Sequence, residues 1–598
     1  MPLLEEVALR LSETARGSKS RTSGSSLSWA NLFAWRQDTG FGTLEAVALS
    51  LFAAIGACAV HFHEMWDDEA QAWLVVRDST LWQLIHRRLH YEGAPPLWHF
   101  ILSLYQAVHG SYPGMDWLGL GFAVAGVYVL LRWSPFPPIV RFLLPFTFFL
   151  QYQYAVVARG YVIFPLLTFT LCALYWRKEK IVWFALAAGL LADLSVHGFV
   201  VAVTLGFLYM LDFRKSGREA YRLRSASFRK RRNAGLAAFA LMGTFAVYCT
   251  IPAPDHQVVV VSQFPTGPIH EILLALVGET PRNMPRPPAD PPIPGPMEPP
   301  QPSWRTSPRA WIAWEINHAP QPGWAHYAAH EALNYAGPPM LEGIGEATWP
   351  IANSNLLACA FLAATALWLR RRRSLRFLLP AVGIIGIGFV LWNVEHHAGM
   401  IFLAIVAGVW IAAESPAPIE SRPRLEAGFL ALFAAVLIGQ IAWSAVSIRA
   451  EVYGSYDPGT ETAKWLQQYP NARVAGFGFW TTSMQPWFPH NRFFNEPAAY
   501  WAWSSNVEID NAHRATIATH PDIVIYSQEF QGYGRIRDQW LPQTVISPEL
   551  ERTLPYDPII ADLRAHGYHE THRFWGTRFA RFSSAYRTCD IVFEPFEP

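Results

Sequence analysis

The sequence predicts a polytopic α-helical membrane protein, with about eleven transmembrane helices, a re-entrant or interfacial helix, and a C-terminal extracytoplasmic α/β domain. Three observations predict it. Apolar residues make up 52% of the 598 residues and charged residues only 16%, against roughly 25% charged in a soluble domain. The apolar residues are gathered into long runs separated by short basic clusters. When the chain is threaded alternately through those runs, every basic cluster falls on one side, as the positive-inside rule requires. This composition excludes a purely cytosolic enzyme. It also argues against a nucleic-acid partner, because the positive charge is local: residues 214–232 hold nine Lys/Arg against one acid, while 451–598 hold 12 against 17.

Residues 1–41 are Ser-rich and basic, with neither an early apolar core nor a cleavage site, and read as a cytoplasmic tail. Residues 42–446 form the membrane domain. A crossing needs about 20 apolar residues in a helix, since lipid offers the backbone no hydrogen bonds. Such runs lie near 42–60, 115–132, 138–155, 160–176, 182–195, 197–213, 234–252, 351–369, 376–393, 398–413 and 426–446. Residues 95–110 are apolar but short, and counting them as a crossing would invert everything up to 232. They read as a re-entrant or interface-lying helix opened by Pro95 and Pro96. Four of the five cysteines lie inside apolar runs and only Cys589 in a polar stretch, so no disulfide framework can be written.

Outside the membrane this threading places 61–94, the turns near 156–161, 194–197 and 394–397, the loop 254–350, and the domain 447–598. Residues 281–302 contain 11 prolines, a spacer or flap in extended polyproline geometry. After it in the same loop, PRAWIAWEINHA and GWAHYAAHEALNYAG have the spacing of surface-lying helices. In the last 150 residues, ETAKWLQQYP and PIIADLRAHGY have helical spacing, while RVAGFGFW and THPDIVIYS read as buried strands after turns.

The first outer loop carries the most chemistry. Asp67, Asp68 and Glu69 follow the first membrane run by about seven residues. Partial desolvation and mutual repulsion favour the neutral form of a carboxylate there, which is how a membrane-surface enzyme obtains a general base for an acceptor hydroxyl. The same acids would also serve as a solvated, negative outer flank. Trp66, Trp73 and Trp82 can lie at the interface, and Glu92 leads into Pro95 and Pro96, followed by His99. His61, His63 and Glu64 precede the triplet and could hold a divalent cation, Mg or Mn, or stand as interface polar groups. Glu395, His396 and His397 open a membrane run on the same side, and His197 follows Asp193 in a tight turn. His326 and His330 stand four apart, but Glu331 is misplaced for a zinc-protease helix.

The acidic pair in the first outer loop, followed some 25 residues later by Pro95-Pro96-Leu97 entering an apolar helix, resembles the glycosyltransferase C superfamily. YQYAVVARGYVIFPLL (152–167) is similar to that family's Arg and Tyr opening a membrane helix. The pattern looks most like bacterial protein mannosyltransferase-like and lipopolysaccharide-core-transferase-like enzymes, and the two motifs cover about 140 residues. The resemblance implies an integral protein of a bacterial plasma membrane. Its reaction would be inverting transfer from a polyprenyl-phosphate-linked sugar to an extracytoplasmic acceptor, whether protein, lipid or glycan. It implies Asp68 as the base with Glu69 supporting it, and Arg159 and Tyr161 beside the donor phosphate. The chain departs from the family at Ala94, where His is frequent, and at Gln153, near which relatives carry an acid. A transporter, or a non-catalytic scaffold whose outer domain binds a partner, is the competing reading.

Overall fold

The computed structural model describes residues 32–36, 40–215, 226–251, 351–352, 355–388, 395–415, 423–496, 498–499, 513–532, 557–579 and 585–596. The expected surface helices that follow the Pro-rich stretch, and His326, His330 and Glu331, lie outside those residues.

Apolar runs become helices where no proline interrupts them. Helix α1 spans Thr43–Phe62 and is opened by Glu45, whose carboxylate accepts the Gly42 amide at 2.9 Å. A short helix α2 follows at Asp67–Arg77 and a longer irregular turn at 81–92, with a π-helical stretch at Leu84–Arg88. Helix α3, Leu97–Ala107, begins at Pro96. Its 11 residues reach about 16 Å at 1.5 Å per residue, half a hydrocarbon thickness. Trp98, His99 and Leu102 face inward, while Leu104 and Val108 are exposed.

Helix α4 covers Gly114–Trp133. The run at 138–155, expected to cross as one helix, is broken: α5 ends at Leu143 after starting at Pro138, a 3-10 turn occupies Leu144–Phe146, and a π-helical turn Phe148–Gln153. Pro145 removes an amide from the ladder, and Thr147 is fully extended. The wide turn that follows buries Gln151, Tyr152 and Gln153. Helices α6 (Phe164–Tyr175), α7 (Ile181–Ala192), α8 (Val196–Lys215), α9 (Ala226–Thr250), α10 (Asn355–Arg371), α11 (Leu379–Gly388), α12 (Glu395–Ala413) and α13 (Pro423–Tyr453) complete the bundle. Among the described residues, five helices (α1, α4, α8, α9 and α13) are long and apolar enough to cross a membrane, and α6, α11 and α12 carry shorter apolar stretches.

With lipid outside, close packing rather than hydrophobic expulsion holds such helices together. Small residues allow it: a Cβ at Gly126 would lie 3.0 Å from the Leu166 backbone nitrogen, so α4 and α6 touch backbone to backbone. Charges at the helix ends are paired. Arg141 binds Glu45, Arg376 lies 2.6 Å from Asp212, and Glu426 receives Trp35, Trp368 and Arg372 at 2.8–3.0 Å.

The C-terminal residues form a mixed sheet, β1 (Val474–Phe477), β2 (Ile523–Gly532), β3 (Tyr568–Phe579) and β4 (Ala585–Pro595), in the order β1-β2-β4-β3. β1 and β2 are parallel, and β4 runs antiparallel to both neighbours. Alternation along β2 divides the two cores. Val524 and Tyr526 pack with Ile559, Ile560 and Leu563 of α15 (Pro558–Ala565), while Ile523 and Ile525 pack with Ala463 and Leu466 of α14 (Gly459–Leu466). A 3-10 segment, Phe479–Trp487, leaves β1 toward α2. There Arg77 donates to the carbonyls of Phe488 at 2.6 Å and Gln485 at 3.3 Å, and Trp487 lies edge-on to Tyr112. The sheet domain therefore rests on the helix that begins with the acidic triplet.

Candidate active site

The triplet starts a helix because acids favour the positive N-terminal end of the backbone dipole, and Glu69 reaches back to the Trp66 amide at 3.2 Å. Successive helical residues point about 100° apart, so the three acids part company. Asp67 is 1% exposed and Glu69 fully buried. Asp68 points to the open side, its side chain 26% exposed, and pairs with Arg159, itself 24% exposed. From the sequence, partial desolvation and repulsion by the two neighbouring acids are the expected influences on Asp68. The structure gives that carboxylate a cation instead, since its two acidic neighbours turn inward.

Arg159 precedes a 3-10 turn, Gly160–Ile163. Its guanidinium lies 5.3 Å from the centre of the Tyr161 ring, and the Tyr161 hydroxyl meets His397 Nε2 at 3.1 Å. The His397 ring lies against that of His197, with centres 4.3 Å apart. Asp68, Arg159, Tyr161, His397 and His197 thus form one line of contacts from α2 to the starts of α8 and α12. The side chains of Glu395 and His396 lie outside the described residues.

Glu69 accepts the Ala158 amide at 2.5 Å and faces His63 Nε2 at 3.1 Å. Adjacent acids on α2 therefore grip adjacent residues of the opposite segment, Glu69 by a backbone bond and Asp68 by a charge pair. Behind Glu69, His63 Nδ1 lies 3.1 Å from Glu451 Oε2, a charge contact off the axis of a hydrogen bond. The Tyr152 hydroxyl donates to the other Glu451 oxygen. Burial alone would lower the His63 pKa, but the charges of Glu451 and Glu69 outweigh it and hold it well above the usual imidazole value. Asp116, at the start of α4, completes this inner layer: His63, Glu69 and Asp116 offer ligand atoms within 4.8 Å of one another.

The sequence grouped His61, His63 and Glu64 as metal candidates, and the structure separates them. His61 is exposed against Phe62, whereas Glu64 accepts the Ser455 hydroxyl at 2.6 Å and the Asp457 amide at 3.4 Å. Consecutive residues at a helix end cannot all face one point.

Glu92 accepts Gln71 Nε2 at 2.7 Å, one turn along α2 from Asp67 and Asp68, and burial pushes its pKa up to about 7. Among the described residues, neither ring nitrogen of buried His99 has a hydrogen-bond partner, nor does either amide atom of buried Gln153. Sequence reasoning missed Gln71, Tyr152, Asp116 and Glu451. The last two carried a usable signal: each is an acid within a few residues of the end of an apolar run.

No protein-family profile and no curated protein matches the chain. Among solved structures, it is similar to the crystal structure of ArnT from Cupriavidus metallidurans in the apo state, at 11% identity over 91% of this chain and 97% of that chain, with a TM-score of 0.34.

Proposed function

We propose that this protein is a membrane glycosyltransferase of the C type, which moves a sugar from a polyprenyl-phosphate-linked donor to an acceptor hydroxyl on the extracytoplasmic side, with inversion. The observation that carries this reading is the pairing of Asp68 with Arg159, each about one quarter exposed, on opposite walls of one site. A sugar leaving from a lipid phosphate needs a cation for the charge that develops on the phosphate oxygens. Guanidinium suits it, staying ionised and offering two parallel donors. Donor phosphate entering beside Arg159 competes with Asp68 for the guanidinium, and the released carboxylate is then free to take the acceptor proton. Tyr161, under the guanidinium, holds it in place.

The stereochemistry follows from what the neighbouring acid is doing. A retaining double displacement needs a second carboxylate free to attack carbon. Glu69 is buried and occupied by Ala158, Trp66 and His63 and Asp67 is buried too, so Asp68 alone of the triplet is exposed, which favours a single displacement. The acceptor is a protein, lipid or glycan hydroxyl, and the sheet domain resting on α2 is placed to help shape its approach.

The test is transfer by the purified protein from a panel of labelled polyprenyl-phosphate sugars. Asp68→Asn is expected to lower transfer by about 100- to 10,000-fold, the usual span for a general base. Arg159→Ala is expected to weaken use of the donor more than that of the acceptor. Wild-type rates in both variants would remove these residue roles, and a wild type that transfers sugar from no donor of the panel would leave the transporter or scaffold reading in its place.

A further inference from the structure

The inner layer behind Asp68 has no role in the transfer step above, yet it concentrates ionisable groups that burial should have eliminated. We propose that His63, Glu69 and Asp116 bind one divalent transition cation, manganese or zinc. The proposal does not depend on the transferase reading.

The distances are close to those of a coordination sphere. Metal bonds to imidazole nitrogen and carboxylate oxygen run about 2.0–2.2 Å, so two ligands of one ion stand at most about 4.4 Å apart. The three donor atoms lie within 4.8 Å of one another, and His63 Nε2 and Glu69 Oε2 only 3.1 Å apart. Side-chain shifts of a few tenths of an ångström would close the sphere. An imidazole with two carboxylates is a donor set that manganese and zinc both accept.

Three further observations point to a cation. Asp116 is 3% exposed, and its Oδ1 has no hydrogen-bond partner among the described residues; a buried acceptor left in that state costs about 1–3 kcal/mol. The Tyr112 hydroxyl is also buried and, among the described residues, without a hydrogen-bond partner, and its ring is in the electrostatic field of Glu69 and Asp116, which suits a donor to a ligand oxygen or a metal-bound water. Lastly, the far ring nitrogen of His63 faces Glu451, and Tyr152 holds Glu451 from behind. Ligating histidines characteristically donate their other ring N–H to a carboxylate, which fixes the ring and its tautomer, and Glu451 stands within 3.1 Å of that nitrogen, a small ring rotation away from accepting it. A second charge on the cation would also balance Glu69, Asp116 and Glu451 better than one shared proton.

The ion would tie together three pieces of chain: the residue after α1, the first turn of α2 and the start of α4. Through Glu69 it would hold the Ala158–Arg159 segment, so its role is positioning and it stands apart from the exposed Asp68.

The experiment uses the full chain purified in detergent, stripped with chelator, exposed to Mn or Zn and washed. Elemental analysis is expected to find about one ion per chain, retained in Asp68→Asn and lost in Asp116→Asn and His63→Gln. Pulsed electron paramagnetic resonance of the Mn-loaded wild type is expected to show coupling to one imidazole nitrogen, a readout that needs no variant to fold. A wild type that retains no ion, or retains one without nitrogen coupling, would overturn the proposal. Full occupancy in both ligand variants would do the same. In that case proton sharing alone holds the cluster.

Discussion

Glu69→Gln changes one atom and tests the central arrangement of the site. The carboxylate receives the Ala158 amide at 2.5 Å, the Trp66 amide at 3.2 Å and His63 Nε2 at 3.1 Å. Glutamine keeps one acceptor oxygen and presents an amide donor where the other oxygen was. With its oxygen toward Trp66 and His63, glutamine sets its amide donor against the Ala158 N–H and loses that one bond; turned the other way it loses two. Hydrogen bonds to charged groups contribute about 1.5–3 kcal/mol each, so the loss is at least about 1.5 kcal/mol. Since 1.4 kcal/mol is a factor of ten, local opening at Ala158 becomes at least about tenfold more frequent. Hydrogen exchange followed by mass spectrometry reads this directly. The peptide containing Ala158 should exchange at least about tenfold faster in the variant, while peptides from β2 and β4 keep their rates. If that peptide does not change, Glu69 does not clamp the Arg159 segment and the two-point grip is wrong.

Arg77→Ala removes the donor that joins α2 to the carbonyls of Gln485 and Phe488. The expected loss is about 2–3 kcal/mol at the contact, read as at least tenfold faster protease cleavage between residues 454 and 458 in the folded protein; unchanged cleavage would mean that the sheet domain is held elsewhere. Glu496 is the pH-sensitive group of that domain: burial pushes its carboxyl up to about 8, with the Thr481 hydroxyl as a hydrogen-bond partner. A raised carboxyl favours the fold fully below pH about 4.5, and that contribution is lost as pH climbs through 8. Wild type should therefore lose thermal stability relative to Glu496→Gln between pH 5 and 9, and parallel curves for the two proteins would contradict this.

The long helices were legible in the sequence because lipid enforces one rule on every crossing, and α1, α4 and α8 lie within three residues of the apolar runs that announced them. The break at 144–153 was not, although Pro145 marked the place, because mean apolarity carries no information on whether the backbone ladder continues. In the sheet domain β1 and β2 were visible as apolar strands. β3 and β4 were not, because THRFWGTRF, in the edge strand, and AYRTCD, at the start of an interior strand, mix polar and apolar residues without strict alternation.

At the site, Asp68 and Arg159 were readable one at a time, each as a charge at the rim of an apolar run. Their divergent neighbours were not. Whether Glu69 faces solvent or protein depends on where α2 begins, and a helix phase is a one-residue question that a loop of 39 residues does not answer. Glu451 stands 382 residues from Glu69, and only the closed bundle brings it to His63.

Helix α13 has a mechanical consequence. Its 31 residues make a rod of about 46 Å, longer than the hydrocarbon slab by half again. One end is gripped at Glu426 by two tryptophans and an arginine, and the other delivers Glu451 to the histidine behind the acidic triplet. A stiff strut fastened at both ends transmits tilt. A thinner bilayer leans the rod over and shifts Glu451 sideways against His63, so turnover in short-chain and long-chain lipid vesicles should differ even at equal substrate, with bilayer thickness acting as a tuning screw on chemistry at the far surface.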